Sequence, residues 1–419
     1  VGPVILLLAG VAAAVDWEPG RRTDVVVVQL RAGARWDDSL ADVAPGARIR
    51  QVHRRLPAFF RIETPDAEVV ASLLEDDPRV ERAWLAFEPM PPPADIPPTT
   101  DDFRPLQSWL DELGFTEAAR WPGGLGENVT IADVEYGWDP DHEDLEATIG
   151  AGGWGLDTEQ YRFHGTSVLG ELVAGDNGYG VTGAVPGARP LVISPFDEDG
   201  NYDVAAAIAG ATDLLSPGDV LLIEQQAWDN GNYCPISVDP AVFAAIEDAV
   251  AAGIVVVEPG GNGGADLDDD EWDGWFARRH DSGSILVGGG ASPESSFDAR
   301  SWYPYGSSYG SRVDLQGWYD SIVSTTGGDY EGYYADLYYP GEDEHQAYTQ
   351  SFGGTSGASP MIAAMAAIAQ SVSIELTGEP WDPADLRAAM VSTGTPQQGD
   401  ELIGPQPDLR RLLRTWSIP

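Results

Sequence analysis

The sequence predicts an α/β protein, a mostly parallel sheet with helices on both faces, preceded by a small α+β domain. Three observations predict it. From about residue 105 onward, short apolar runs alternate with helical segments, the pattern of strands buried on both faces. Before that, Glu88 to Pro98 places six prolines within ten residues, a stretch that continues neither helix nor central strand and reads as an extended linker. The two sides of the linker also differ in charge. Residues 1–90 carry 11 Arg against 14 Asp and Glu, a net of −3, which leaves −42 of the total −45 for the remainder.

Taken in order, Val4 to Val11 is an apolar run of eight residues followed by three alanines. With no initiator Met or basic lead, residues 1–14 read as part of a secretory signal, too short to span a bilayer. No other segment reads as a membrane span. Residues 22–90 read as the first domain, with strands at Asp24 to Leu30, Phe59 to Glu63 and Val80 to Phe87. A helix is expected from Pro65 to Leu74. Residues 91–104 form the linker. In residues 105–419, strands are expected at Val129 to Glu135, Leu191 to Ile193, Val220 to Glu224, Ile254 to Val257 and Ile285 to Val287. Helices are expected at Val204 to Leu214 and Pro240 to Ala252. Ligand sites in such sheets lie beyond the carboxyl ends of strands, where Glu135 and Asn262 fall.

Composition excludes some functions. All 23 basic residues are arginine, against 68 acidic ones, so nucleic-acid phosphates would be repelled. The single cysteine, Cys234, excludes an intramolecular disulfide framework.

Chemistry concentrates in Gly353-Gly354-Thr355-Ser356-Gly357-Ala358-Ser359-Pro360, which leads into an apolar segment. The glycines let backbone approach the serine closely, and the proline is expected in a helix's first turn. Ser356 would then sit at the positive end of a buried helix, where developing negative charge is favoured. Acyl transfer by serine also needs a base, a carboxylate to orient it and donors for the oxyanion. His164, one of five histidines, stands before Gly165-Thr166-Ser167 at an expected helix start. Asn262 lies in a glycine cluster that read alone would be a turn.

The order acid, His-Gly-Thr, Gly-Asn and Gly-Thr-Ser-x-Ala-Ser-Pro resembles the subtilisin-type serine proteases, the subtilase family. Val129 to Gly137, Phe163 to Thr166, Val255 to Gly263 and Gly354 to Pro360 match its four motifs in order. The resemblance implies Ser356 as nucleophile, His164 as general base then acid, and Asn262 with the Ser356 N–H as oxyanion hole. It places Glu135 where the family has aspartate, one methylene shorter, with Asp133 as a rival on the same strand face. It further implies Asp144 and Asn177 as ligands of a structural calcium ion, oxygen-ligated as calcium requires. Gly200, Tyr202, Gln225 and Gly260 fall at its substrate-binding positions, although Tyr202 and Trp228 read equally well as core. No organic cofactor is implied. The first domain resembles the family's inhibitor-type, ferredoxin-like propeptide, with a processing site in the linker. The expectation is a secreted, monomeric endopeptidase made as a zymogen, acting on protein or peptide substrates and inhibited by its own propeptide. An inactive fold used for binding, or a narrow-specificity peptidase or esterase, fits the same motifs.

Overall fold

The computed structural model describes residues 21–87, 100–145, 161–197, 199–278, 281–304, 306–327 and 335–415. The expected signal (1–14) and most of the linker (91–99) lie outside them. The chain divides into two compact units at Pro97–Pro98.

The first unit runs β1 (Arg21–Leu30), α1 (Asp38–Ala41), β2 (Arg48–His53), β3 (Leu56–Glu63), α2 (Ala67–Glu75), β4 (Val80–Phe87). The sheet order is β2-β3-β1-β4 with antiparallel pairing, the ferredoxin-like arrangement. Ala67, Val70, Ala71 and Leu74 fall on one stripe of α2 and are buried. Leu74 and Ile62, both fully buried, each contribute about 2 kcal/mol by leaving water. Strand β2 escaped sequence reading because it is an edge strand whose side chains are mostly exposed; only Ile49 turns toward the core.

The second unit opens with α3 (Ser108–Leu113) and α4 (Phe115–Ala118). Its six-stranded sheet comprises β5 (Thr130–Val134), β6 (Arg189–Ile193), β7 (Val220–Ile223), β10 (Val255–Pro259), β11 (Ile285–Gly290) and β12 (Leu315–Trp318). The order is β12-β11-β10-β7-β5-β6, parallel throughout. Alternate residues feed opposite faces. Ala132, Val134, Leu221 and Ile223 pack under α6 (Val204–Leu214) and α7 (Pro240–Ala251). Ile131, Leu222, Val255 and Val257 pack under α5 (Arg162–Val173) and α9 (Thr355–Thr377). Two faces to bury explain why the strands read as unbroken apolar runs. The chain turns from β5 to β6 on one side and to β7 on the other, so a crevice opens beyond β5 and β7, the usual ligand position in such sheets.

Between these lie the hairpin β8 (Gln226–Asp229) and β9 (Asn232–Pro235), and α8 (Trp275–Arg278). The strands β13 (Ile322–Thr325) and β14 (Tyr348–Phe352) form a separate antiparallel pair, and α10 (Pro383–Thr393) and α11 (Leu409–Leu413) close the unit. Helix α9 is long and apolar enough to cross a membrane, contrary to the sequence expectation, yet 94% of its apolar window is buried within the unit. It is a core helix. Pro360 is not in its first turn as expected but at its sixth residue. Lacking an N–H, it leaves the carbonyl of Ser356, four residues earlier, without its usual helical donor.

Candidate active site

Strand β5 ends at Val134 and delivers Glu135, fully buried, to the crevice. One carboxylate oxygen accepts the Tyr136 N–H at 2.7 Å, and the other lies 2.5 Å from His164 Nδ1. That contact assigns the Nδ1 proton toward Glu135 and leaves Nε2 as the acceptor facing the cleft. His164 is in the first turn of α5, after Tyr161 in left-handed conformation (φ 69°). The residue after it must be glycine. A Cβ at Gly165 would come within 2.4 Å of Glu135 Cγ and 2.2 Å of the Gly137 carbonyl. Removing that side chain makes room for the acid's Cγ. Thr166 then ties the loop to the helix, its hydroxyl accepting the Asp139 N–H at 2.9 Å and donating to the Arg162 carbonyl at 2.7 Å. Burial lowers the basicity of His164, but the Glu135 carboxylate outweighs it and raises the imidazole pKa.

Ser356 is the second residue of α9, behind Gly354 (φ 80°). Gly353 is obligatory too, because a Cβ would meet the Tyr319 carbonyl at 2.2 Å. Ser356 and His164 line two adjoining cavities. One, of about 340 Å³, is walled by Tyr136, Tyr161, Glu224, Gln225, Gln226 and Tyr233. The other, of about 460 Å³, is walled by Phe163, Asn262, Tyr303, Tyr319 and Phe352 among others. Asn262 follows β10, and its side-chain oxygen accepts both the N–H of Thr355 (2.9 Å) and its hydroxyl (3.1 Å). With the acceptor end tied back, the NH₂ end remains as a donor on a residue that lines the second cavity with Ser356. That is the arrangement an oxyanion requires.

Of the other sequence-derived positions, Gln225 lines the first cavity, and its Oε1 accepts the Tyr202 hydroxyl at 2.8 Å. Tyr202 is 46% exposed and stacks on Tyr136, and Trp228 is 64% exposed, so neither is core. Gly200 (φ 80°) is at the tip of a turn closed by Asp197 and lines neither cavity; nor does Gly260, whose N–H donates to the Val287 carbonyl. Asp133 is buried with no hydrogen-bond partner on either oxygen, and His164 contacts Glu135 instead. Sequence reading gave no role to Glu224, Tyr136, Tyr161 or Tyr233; the anomalous Glu-Gln-Gln after β7 was the available signal.

Asp144 and Asn177 do come together, but as a closed hydrogen-bond set. Asp144 accepts from Asn177 Nδ2 (2.7 Å) and the Val181 N–H (2.8 Å), and lies 3.0 Å from the Tyr348 hydroxyl, whose one proton it shares with Glu143 Oε1 (2.8 Å). Asn177 Oδ1 is engaged by the Tyr179 N–H. A cation needs oxygen acceptors, and two N–H donors converge here instead. Burial also pushes the Asp144 carboxyl up to about 7, favouring the neutral form. As arranged, these residues do not fit calcium.

The family model described as the Subtilase family matches residues 126–405. Among curated relatives, fervidolysin of Fervidobacterium pennivorans is 29% identical over 38% of this chain and 24% of its own length. The minor extracellular protease Epr of Bacillus subtilis is 28% identical over 57% of this chain and 36% of its own length. The chain thus spans between a quarter and about a third of these relatives. Subtilisin NAT of Bacillus subtilis subsp. natto is 27% identical over 65% of this chain and 62% of its own length. The solved structure of fervidolysin, described as a keratinolytic enzyme related to subtilisin, aligns with TM-score 0.53 and 19% identity. It covers 96% of this chain and 62% of that one, a likeness of fold.

Proposed function

This chain belongs to the subtilase family, and from that premise we propose that it is a serine endopeptidase using Ser356, His164 and Glu135. The observation that carries this reading is the 2.5 Å contact between His164 and Glu135 in the wall of cavities shared with Ser356. Ser356 Oγ attacks the peptide carbonyl while His164 Nε2 takes its proton. Glu135 holds the ring and offsets the imidazolium charge. Asn262 Nδ2 and the Ser356 N–H receive the oxyanion, at the positive end of α9. His164 returns the proton to the leaving amine, and water then releases the acyl group by the reverse assignments.

A fluorophosphonate probe tests this directly. It is expected to label wild-type protein at Ser356 and to leave Ser356→Ala unlabelled. Wild-type protein that is folded and freed of its first unit, yet takes up no label, overturns the reading.

The first unit acts in this proposal as an inhibitor-type propeptide, supported by its ferredoxin-like sheet and the proline-rich stretch after it. Export is supported by the apolar run at Val4 to Val11, while the relatives include proteins named extracellular and intracellular. Gln225 and Tyr202 contribute to substrate binding as a hydrogen-bonded pair at the cavity edge.

The Asp144 loop is proposed to hold without a cation, through the Tyr348 hydroxyl and two N–H donors. Chelation by EDTA is therefore expected to leave the melting temperature unchanged, and Tyr348→Phe to lower it. A drop of several degrees on chelation would show that calcium displaces the present donors.

A further inference from the structure

The carboxyl of Glu224 has no place in the triad, yet it is 4% exposed and lines the same cavity as Ser356 and His164. It is the first residue after β7. Register pairs Val134 with Ile223, and the Glu224 N–H donates to the Val134 carbonyl, which sets Glu224 beside Glu135 on the adjacent strand. Both side chains, with that of Asp133, lie on the sheet face covered by α5 and α9. Glu171, seven residues after His164 on α5, completes the group from above. Its Oε1 lies 3.6 Å from where a side chain at Gly357 would begin. Four buried carboxyls therefore surround the start of α9, and Asp133, Glu171 and Glu224 close no hydrogen bond of good geometry.

Such a group cannot ionise fully. Like charges at this depth repel strongly, and each buried carboxylate loses its hydration. Glu135 faces His164 and has a cationic partner when the imidazole is protonated. For Glu224 the neighbours are otherwise: Asp133 and Glu135 from β5, Glu171 from α5, and the Ser356 hydroxyl from α9. Tyr136, Tyr161 and Tyr233 line the cavity beside it. Burial and the three carboxyls push the Glu224 pKa well up, and only the Ser356 hydroxyl pulls the other way. A neutral carboxylic acid at this place has one proton to donate, and Ser356 lines the same cavity.

We propose that Glu224 is a further catalytic residue of this centre, a neutral carboxylic acid that donates to Ser356 Oγ and blocks turnover once it is charged. The inference rests on the serine-endopeptidase reading above. In the resting enzyme the acid aims Ser356, so that the serine proton points to His164 Nε2 and a lone pair to the substrate carbonyl. When Oγ attacks, its proton passes to His164, the new C–O bond forms, and Glu224 keeps its own proton throughout. Ionised Glu224 instead accepts the serine proton as a hydrogen bond, turning it away from His164. It also places a second negative charge beside the forming oxyanion.

The test compares wild type with Glu224→Gln, which donates but cannot ionise, across about pH 4 to 10. The readouts are kcat and KM on a peptide series differing at the residue before the scissile bond. The rate of fluorophosphonate labelling, which needs no such residue, is measured alongside. Wild type is expected to lose kcat on the alkaline side through an ionisation that Glu224→Gln lacks. At acid pH the amide, a weaker donor, is expected to cost about threefold to tenfold. The two profiles should therefore cross. Glu224→Ala is expected to be slower at acid pH than either, with melting curves confirming that all three fold. An alkaline limb that persists in Glu224→Gln overturns the proposal. So does an unchanged pH profile with a selective rise in KM for substrates carrying Arg or Lys, which would make Glu224 a specificity residue. Absence of labelling at every pH in wild type freed of its first unit would instead remove the endopeptidase reading itself.

Discussion

Glu135→Ala is expected to lower kcat by about 10⁴ while leaving KM within a few-fold, the loss that follows when a catalytic histidine is no longer oriented by its acid. Without the 2.5 Å contact the imidazole is free to take the wrong tautomer, and its protonated form loses the charge that stabilises it. The informative variant is Glu135→Asp, which restores the residue usual in the family. The carboxylate would retreat by roughly 1.5 Å, the length of one C–C bond, and leave hydrogen-bonding range of Nδ1. A loss of about tenfold to a hundredfold is expected rather than a gain, since this site is built for the longer side chain. Asp133→Asn is expected to cost far less than Glu135→Ala. Steady-state kinetics on one peptide substrate, with melting curves to confirm folding, decide the matter. A larger loss at Asp133 than at Glu135 would show that the acid had been wrongly assigned.

The histidine, asparagine and serine segments were legible because close approach demands particular residues there. Gly165 and Gly353 admit no side chain, and Thr166 bridges two elements with one hydroxyl. Such constraints leave short, recognisable strings. The central strands were legible because both faces are buried, and the edge strand β2 was not because almost nothing on it is. The Asp144 loop is harder to read for a different reason. Asp144 and Asn177 do meet, but whether an asparagine offers its oxygen or its NH₂ depends on Tyr348 and Tyr179, the former distant in sequence. Glu224 carried only the unusual Glu-Gln-Gln after β7, which does not by itself give a role. Its environment is assembled from β5, α5 and α9, and only the register of β5 with β7 brings these carboxyls together.

That assembly has a consequence for stability. The protein is expected to be most stable in mildly acid solution and to lose stability as pH rises from about 4 through 7, the reverse of ordinary acid denaturation. The sign follows from the groups. Burial raises the Asp144 carboxyl from its ordinary value to about 7, so the folded state binds a proton across that interval and the unfolded state does not. Its stabilising contribution is complete below the unfolded value and is lost as pH rises through the folded one. At 1.36 kcal/mol per unit, a ceiling on the order of 4 kcal/mol is lost across the window. Asp133, Glu171, Asp219, Glu224 and Glu258 are raised in the same direction, burial being the largest cause for each. His164 and His345 add to the trend above about pH 6.5, because their raised values lose a stabilising proton there. His142 opposes it: burial lowers its pKa, so its contribution is present above the unfolded value and fades as pH falls. Carboxyls held low by arginine, such as Asp102 and Asp281, weaken the fold only below about pH 4, which sets the acid edge. General repulsion within a chain of net charge −45 would act in the same direction, and salt separates the two causes. Surface repulsion is screened at about 0.5 M salt, whereas buried groups are screened far less. Melting the Ser356→Ala variant, which removes self-digestion, should therefore show a fall of several degrees between pH 5 and 8 that persists in high salt. Asp144→Asn should shrink it, since the amide has no proton to lose. A melting temperature that climbs over the same interval would mean that these carboxyls are ionised in the folded protein.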